Sequence, residues 1–256
     1  MEEVEKVTVT GVSPEEKITE NKCIIREIPF TIVVNGKELA TLQCTPSGLQ
    51  YLTAGFLASE GVLKRKEEIK RVILDEKDFH VRIYVEADVD VQTLAPRKLI
   101  ASAGVSFYRS GDGKIMPHIE SQLRVSRDKI FYLTQQFQTM SSLYKRTRGN
   151  HSAALCSVEG TIIAFAEDIG RHNAVDKVLG ECLLKGISVG DKILMTSGRI
   201  SVEILTKAAR RGVPIIVSCG APTSLAVSLA KNIGMTIVCF AREQYMAIFA
   251  GDQRVT

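Results

Sequence analysis

Several features that mark common protein classes are missing from this sequence. Its 256 residues contain no uninterrupted apolar stretch of membrane-spanning length, and the acidic start "MEEVEKVTVT" does not suit a secretion signal. There is no long run of Lys and Arg, and the formal net charge is only +4. Nucleic-acid binding is therefore not indicated. These absences predict a cytoplasmic protein that uses neither a membrane nor a nucleic acid.

Cysteine pairs at metal-binding spacing are also missing. The six cysteines never form CxxC, and the four histidines are scattered. Without a secretion signal, reduced thiols are expected, and no metal site is predicted. The cysteines are Cys23, Cys44, Cys156, Cys182, Cys219 and Cys239.

The first part of the chain, residues 1–148, is predicted to be an α+β domain. Its first twenty residues are polar and are expected to be loosely held. The segment "FTIVVNGKELATLQC" predicts a β-hairpin turning at Asn35-Gly36, a pair that tolerates positive φ. Thr45-Pro46 are expected to start a helix that Gly61 closes, and residues 69–87 predict a second hairpin.

Two further elements complete this part. Residues 102–118 are rich in Gly and Ser and aperiodic, which predicts a long loop of the kind that often carries function. Ser126 is expected to cap a helix that runs to about Lys145.

The second part, residues 149–256, changes pattern. A hairpin turning at Glu159-Gly160 is followed by short strands and helices in strict alternation. That order predicts parallel strands with crossover helices and helices on both faces of the sheet. The overall prediction is an α/β protein whose C-terminal part is a three-layer α/β/α sandwich.

Polar residues collect where these strands end. The strand exits are "AEDIGRHN", "TSGR" (196–199), "SCGAPTS" (218–224) and "FAREQY" (240–245), whereas the strand interiors are apolar. Ligands of open α/β sheets bind beyond the carboxyl ends of the strands. The candidate ligand-binding residues on the first three exits are Asp168, Arg171, His172, Ser197, Gly198, Arg199, Ala221, Pro222 and Thr223.

The chemistry of these exits favours an anionic ligand. Arg171, Arg199 and Arg242 are expected to converge, and guanidinium forks bind phosphate or pyrophosphate bidentately. Helices starting behind Gly198 and Pro222 would add free N–H groups. Taken singly, these residues also have simpler explanations: Arg199 and Arg242 as surface residues paired with Glu203 and Glu243, and Asp168 as a helix N-cap. As a set they favour a ligand site.

Two histidines and two thiols are further candidates. His172 begins a helix, so it is expected either to donate to a ligand as a neutral ring or to bond to Asp168. His151 lies in the Gly/Asn-rich "GNHSAAL" and is expected to bind a ligand or brace a turn. Cys219 follows a strand and precedes a helix, a setting that lowers a thiol pKa, although small buried cysteines are common at strand ends and a structural role is the more ordinary one there. Cys44 is a second candidate for an exposed thiol, whereas the remaining thiols in apolar elements are expected to be inert.

With these residues in view, the sequence resembles the formate dehydrogenase accessory sulfurtransferase (FdhD/NarQ) family from about residue 28 onward. The most specific matches are "CTPSGLQYLTAGFLASEGV", "NHSAAL", "EDIGRHNAVDK", "TSGRISVEI" and "GAPTSLAVSLA". The resemblance implies a cytoplasmic homodimer with a cytidine-deaminase-like C-terminal part. It also implies passage of sulfur from a cysteine desulfurase to the molybdenum cofactor, bis(molybdopterin guanine dinucleotide), for formate dehydrogenase.

The resemblance further implies where the cofactor and the sulfur are held. The pyrophosphate of the guanine dinucleotide agrees with the anionic site, and a GDP-like moiety is the expected bound group. The family's cofactor-contacting stretch matches Phe240, Ala241, Arg242, Glu243, Gln244 and Tyr245. The family's sulfur-carrying cysteine belongs to a Gly-rich loop, whereas the matching "RKLIASAGVSFY" here has Ala103 and Ser106 at those positions. Neither side chain can form a persulfide.

Two other classes of protein compete with a sulfur-relaying accessory protein. A zinc deaminase requires H-x-E and P-C-x-x-C, but "HSA" places Ala153 where the Glu belongs and CxxC is missing. A non-catalytic protein that binds a cofactor, a nucleotide or the client enzyme stays open, because the loop cysteine is replaced.

Overall fold

The computed structural model describes residues 1–77, 80–87, 116–242 and 244–256. Residues 102–115 of the predicted loop, which include Ala103 and Ser106, lie outside these ranges. Glu243 also lies outside them. Predictions about those residues stay predictions. Across the described residues, no helix combines the length and the apolar character needed to span a membrane.

The N-terminal residues form a two-stranded antiparallel ribbon, so the expectation of a loosely held terminus is wrong. Strand β1 covers Val4–Val12 and β2 covers Lys17–Ile25. β-branched residues alternate with polar ones in "VEKVTVTGV", a pattern that suits an extended strand. Only Val4, at the base of the ribbon, is buried, and most of the other side chains of the ribbon are exposed.

A four-stranded sheet follows, with α1 covering one face. Its strands are β3 (Ile28–Val34), β4 (Lys37–Cys44), β5 (Ile69–Lys77) and β6 (His80–Ala87), in the order β4-β3-β6-β5. Both predicted hairpins are confirmed, and Asn35 and Gly36 have φ of 48° and 77° at the first turn. A short 3-10 helix, Lys66–Glu68, precedes β5.

Helix α1, Leu49–Ser59, begins later than predicted. Its N-cap is Gly48, which has a left-handed backbone, and not Thr45. Thr45 is fully buried and bonds to a distant part of the chain instead. Gly61 does follow the helix with φ of 77°, as expected of a residue that closes it.

The helix predicted from Ser126 is divided in two. Helix α2 covers Arg127–Met140, and the Ser126 hydroxyl accepts from the Lys129 N–H, which confirms the cap. Ser141 then adopts an extended backbone and caps α3, Ser142–Thr147. A serine that offers its hydroxyl to the next turn competes with continuous helix, which explains the break.

The C-terminal sheet has the predicted alternation. Its order among the described residues is β12-β11-β10-β9-β7-β8. Strand β7 is antiparallel to β8 and β9, whereas β9, β10 and β11 are mutually parallel, and β12 is antiparallel to β11. The bounds are β7 His151–Cys156, β8 Ile162–Asp168, α4 Arg171–Lys185, β9 Ile193–Thr196, α5 Val202–Arg210, β10 Ile215–Ser218, α6 Ser224–Ile233, β11 Thr236–Arg242, β12 Tyr245–Ala250 and a 3-10 turn Asp252–Arg254.

The sheet lies between two helical layers, as a three-layer α/β/α arrangement requires. One core cluster joins one sheet face to α4, α5 and α6 through residues such as Val178, Ile204 and Ala230. A second cluster joins the other face to α2 through Ile130 and Phe137. Strands β9, β10 and β11 lie side by side in chain order and are connected by α5 and α6. Because both crossovers have the same handedness, they place these two helices on the same face of the sheet. Packing therefore associates α2 with the C-terminal sheet, while the division of the chain at residue 148 stays a prediction.

The two sheets are joined by the contact between α1 and α4. A Cβ added at Gly55 would lie 1.8 Å from the Asp176 carbonyl oxygen, and one added at Gly180 would lie 1.9 Å from the Tyr51 carbonyl oxygen. Only glycine lets the two helix backbones approach so closely.

Candidate functional site

The strand exits singled out in the sequence lie at one edge of the C-terminal sheet. Strand β8 is parallel to β9, because both are antiparallel to β7, and β10 and β11 have the same direction. The carboxyl ends of these strands therefore meet at an edge that we call the carboxyl edge. The amino end of β7, His151, belongs to it because His151 pairs with Asp168.

Asp168 ends β8 and is held entirely by protein donors. One carboxylate oxygen accepts from the Thr45 N–H at 3.1 Å and pairs with Lys177 Nζ at 2.7 Å. The other accepts from the Gly170 N–H at 2.9 Å and from the Asn173 amide at 2.8 Å. Asp168 is 0% exposed. The expectation that it contacts a ligand is corrected: it organises the turn that leads into α4.

This network ties the N-terminal sheet to the carboxyl edge. Besides pairing with Asp168, Lys177 Nζ donates to the carbonyl oxygens of Thr45 and Glu167. The Ile169 N–H donates to the Thr45 hydroxyl at 3.1 Å. Each partner is buried or half-buried, so the start of α4 is positioned by residues more than a hundred positions earlier in the chain.

Arg171, the first residue of α4, lies across Gly198. A Cβ at Gly198 would approach the Arg171 Cβ to 2.8 Å and its Cδ to 2.9 Å. Burial, and after it the nearby Arg199, lowers the pKa of Arg171, although an arginine stays charged at neutral pH. The structure therefore brings Arg171 from one strand exit beside Arg199 on the next. The predicted convergence of Arg242 with these two arginines stays a prediction.

His172 is buried beside Glu203 and does not bond to Asp168, which corrects that alternative. Its Nε2 lies 3.1 Å from the Glu203 Oε2, within ion-pair distance but without the geometry of a directed hydrogen bond. Burial lowers the pKa of His172, and the Glu203 carboxylate offsets only part of that effect. The contact with His172 in turn lowers the pKa of Glu203. The ring is therefore predominantly neutral near pH 7.

His151 contacts Ser197 on the neighbouring strand exit. Its Nδ1 lies 3.2 Å from the Ser197 hydroxyl oxygen, and that oxygen accepts from the Ser152 N–H at 3.0 Å. Burial, and then the charges of Arg171 and His172, lower the pKa of His151. His151 thus braces the turn after β9 and belongs to the same cluster as Arg171.

The turns after β9 and β10 are locked together by hydrogen bonds. The Ile200 N–H donates to the Ala221 carbonyl, the Thr223 N–H donates to the Ile200 carbonyl, and the Ser218 hydroxyl donates to the Gly198 carbonyl. Thr223 caps α6 through its hydroxyl, and Pro222 pairs with Ile200. Arg199 lies in the turn after β9, and its side chain is exposed.

The Phe240–Tyr245 stretch forms the far end of the carboxyl edge. Phe240 has φ of 54° at a bulge between β11 and β12, an unusual backbone for an aromatic residue and one often found at functional sites. Phe240 is 39% exposed and Tyr245 is 65% exposed. Arg242 and Gln244 are also exposed, whereas Ala241 is fully buried. Any ligand contact by Ala241 is therefore limited to its backbone.

The thiols differ from the sequence prediction at one position. Cys44 is fully buried, and burial, reinforced by Asp168, raises its pKa, so its selection as an exposed thiol is wrong. Burial also raises the pKa of Cys156, Cys182 and Cys239 to about 12 in each case, which disfavours the reactive thiolate form at all three positions. Cys219 is half-buried with the Gln138 amide 3.6 Å from its Sγ. All six thiols are free.

A charged cluster that the sequence did not reveal lies on the other side of α4. Lys207 Nζ is 2.8 Å from Asp176 Oδ2 and 3.4 Å from Glu60 Oε1, and all three residues are buried. Burial alone would lower the pKa of Lys207, but the two carboxylates outweigh it and raise the pKa. The cluster joins α1, α4 and α5. Its only sequence signal was a Lys on the apolar side of an amphipathic helix.

The fold and the site define a class: an α/β protein with a basic, glycine-containing carboxyl edge fixed by a second sheet. A model of the FdhD/NarQ family matches residues 25–256. The chain belongs to the FdhD/NarQ family.

Individual relatives agree with this assignment. "Sulfur carrier protein FdhD" of Bacillus subtilis (strain 168) is 39% identical over 236 residues, covering 91% of this chain and 90% of the relative. Its counterpart from Staphylococcus aureus (strain MRSA252) is 40% identical over 235 residues, covering 90% and 88%. A crystal structure assigned to a formate dehydrogenase accessory protein from Desulfotalea psychrophila superposes with a TM-score of 0.80 at 27% identity, covering 99% of both chains.

Proposed function

We propose that this protein is an accessory factor for formate dehydrogenase that binds bis(molybdopterin guanine dinucleotide) and mediates its sulfuration from a cysteine desulfurase. Family membership carries the proposal, since the curated relatives are named sulfur carrier proteins. The protein acts in the cytoplasm and as a homodimer.

The carboxyl edge supports the cofactor part of the proposal. Arg171 and Arg199 lie at the exit of β9, and Arg242 lies at the exit of β11. One strand separates these exits, which corresponds to roughly 10 Å at ordinary strand spacing. A guanine dinucleotide is long enough to place its pyrophosphate at one exit and its base at the other. Exposed Phe240 and Tyr245 offer apolar faces for the base.

The sulfur part of the proposal depends on which thiol accepts sulfur. Residues 102–118 contain no cysteine, so the acceptor must lie elsewhere in the chain. Among the thiols at the carboxyl edge, Cys219 combines partial exposure with a place at a strand exit. We assign the relay to Cys219: the terminal sulfur of the desulfurase persulfide passes to its thiolate, and the desulfurase cysteine leaves as a thiolate.

A second candidate function is favoured by Ala103. If the family's sulfur-carrying position is Ala103, the protein binds the cofactor or a nucleotide without relaying sulfur. The two functions share the carboxyl edge and differ in whether a protein persulfide forms.

Mass spectrometry after incubation with a cysteine desulfurase and cysteine separates the two functions. A sulfur relay predicts a gain of one sulfur atom in the wild type, lost in Cys219→Ser and retained in the matched variant Cys44→Ser, whose thiol is buried. The binding-only function predicts no gain in the wild type and a gain in Ala103→Cys. Retention of the added sulfur in Cys219→Ser rules out Cys219 as the acceptor.

A further inference from the structure

Strand β5, at the edge of the N-terminal sheet, exposes three consecutive apolar side chains. Val72, Ile73 and Leu74 are 45%, 41% and 46% exposed. Among the strands that the structure describes, β6 is the only hydrogen-bonded neighbour of β5. Natural proteins usually protect a strand edge with charges, a proline or a covering segment, because its N–H and C=O groups otherwise pair with another strand. An extended apolar edge is therefore typical of a surface that another strand joins.

The charge pattern of β5 is complementary to itself. In IKRVILDEK, two basic residues precede the three central apolar ones, and two acidic residues follow them. When two copies run antiparallel with Ile73 opposite Ile73, Arg71 of each copy lies opposite Asp75 of the other. Lys70 then lies opposite the sequence position of Glu76. Opposite charges that face each other across two strands stabilise the pairing, whereas like charges destabilise it.

Other symmetric registers lose this complementarity. Because directly opposite residues alternate between bonded and non-bonded pairs, a two-fold arrangement can shift only by two residues at a time. One such shift places Arg71 opposite Lys77, and the other places Arg71 opposite Ile73 and Asp75 opposite Ile69. The side chains of β5 therefore specify one antiparallel register with a second copy of the same strand, which a strand that receives an unrelated partner does not require.

An apolar cavity lies beside this edge, where the same register places a side chain of the second copy. Val72 and Leu74 pair with Val85 and Ile83, so both lie on the sheet face that α1 covers. A cavity of about 70 Å³ between α1 and the edge is lined by Leu57, Val72, Val85 and other mainly apolar residues. Leu74 of the second copy would lie opposite Val72 and next to this cavity. Its apolar walls suit an aliphatic side chain better than a polar ligand.

We propose that β5 strands from two copies of this chain pair antiparallel about a two-fold axis at Ile73, which joins the two N-terminal sheets into one. The inference deepens the proposed function, which includes a homodimer, and rests on it for the existence of that dimer. The three apolar residues exclude water from the centre of the interface, and Arg71 and Asp75 fix its register. The α1 helices of both copies then lie on the same face of the joined sheet.

An engineered disulfide at Ile73 tests this register. Directly opposite residues of antiparallel strands have Cα atoms roughly 4.5–5.5 Å apart, a separation that a disulfide spans. Ile73→Cys is therefore expected to give a covalent dimer on mild oxidation, seen on a non-reducing gel and reversed by a reductant. The matched control is Glu38→Cys, because Glu38 is exposed on β4 at the other edge of the same sheet. This control and the wild type, whose six thiols are free, are expected to show no covalent dimer.

Charge reversal tests the pairing without a covalent bond. Arg71→Glu places an acidic residue opposite Asp75 in both symmetry-related pairs. The dimer dissociation constant, measured by analytical ultracentrifugation, is therefore expected to rise by at least about tenfold. The double variant Arg71→Glu/Asp75→Arg restores opposite charges and is expected to recover most of the affinity. Arg127→Glu changes an exposed arginine on α2 and is expected to leave the dimer unaffected, and circular dichroism shows whether each variant is folded.

The outcomes separate this inference from the proposed function. If the wild type dimerises but Ile73→Cys forms no covalent dimer, the copies meet elsewhere and the β5 interface is wrong, while the homodimer stands. A loss of affinity in Arg71→Glu that the double variant does not reverse also overturns the register. If the wild type is monomeric at every concentration measured, both the interface and the homodimer part of the proposed function fail. The persulfide measurement then still reports on sulfur transfer.

Discussion

His151 and His172 show how burial sets the behaviour of individual residues at the carboxyl edge. Burial lowers the pKa of both rings in the folded protein, with Arg171 contributing to each. In the unfolded chain both return to an ordinary histidine pKa of about 6.5. Between the folded and unfolded pKa values, the unfolded state binds more protons, so stability rises with pH in that window.

We therefore expect the free energy of unfolding to decrease as the pH falls from about 7.5 to about 5, through the ordinary histidine pKa. His172→Gln removes one titrating ring. The free energy of unfolding of this variant is therefore expected to depend less steeply on pH than that of the wild type, independently of how the substitution changes stability at neutral pH. Urea denaturation across this range measures the effect, with the exposed His118→Gln as the control. Equal slopes for wild type and His172→Gln would show that the ring titrates alike in both states.

At the scale of elements, the contact between α1 and α4 depends on two glycines. Gly55 and Gly180 each lie against the backbone of the opposite helix. The close approach lets Lys207 of α5 reach both Asp176 of α4 and Glu60, the C-cap of α1. Backbone proximity and the buried charges therefore stabilise the same junction.

Gly55→Ala is expected to destabilise the protein by at least about 3 kcal/mol, because its Cβ would overlap the Asp176 carbonyl oxygen and force the helices apart. The higher helix propensity of alanine, about 1 kcal/mol, opposes this only in part. Chemical denaturation measures the loss. The control is Gly190→Ala, where the nearest atom lies at an ordinary 3.8 Å; a similar small effect at both positions would contradict the close approach.

At the scale of the whole molecule, the Asp168–Lys177 pair connects the two sheets. Asp168 bonds to the Thr45 N–H, and Lys177 bonds to the Thr45 carbonyl oxygen. Because both ionised side chains are buried, removing one leaves the other without its counter-charge. The packing of the N-terminal sheet and the geometry of the carboxyl edge are thus expected to fail together.

Asp168→Ala is expected to lower the free energy of unfolding by about 3–5 kcal/mol, the usual effect of leaving a buried charge unpaired. The double variant Asp168→Ala/Lys177→Met removes both charges and should recover part of the loss. Asp191→Ala breaks an exposed pair with Lys192 and is expected to cost less than about 1 kcal/mol. Denaturation of the four proteins tests this, and a loss in Asp168→Ala no larger than in Asp191→Ala would contradict the role of the pair.

Local sequence was sufficient to predict the C-terminal elements from β7 to β11 and the edge at which their polar exits meet, but it did not predict β12. Short apolar segments that alternate with helical segments marked β9, β10 and β11. Gly186 and Gly234 end α4 and α6 with left-handed backbones. Asn35-Gly36 specified its hairpin for the same reason: φ preferences and hydrophobic periodicity act within a few residues. The family resemblance depended on these same local motifs.

Partners from distant parts of the chain were decided only by the tertiary structure. Thr45 has the sequence context of a helix cap, yet its bonds go to Asp168 and Ile169, 123 and 124 positions away. Cys44 is buried at the same junction, and His172 meets Glu203 instead of Asp168. Periodicity tells which side of an element faces the core, but not which side chain of another element it meets there. That choice is made when α1, α4 and α5 pack together, because burial makes an unpaired charge or polar group costly.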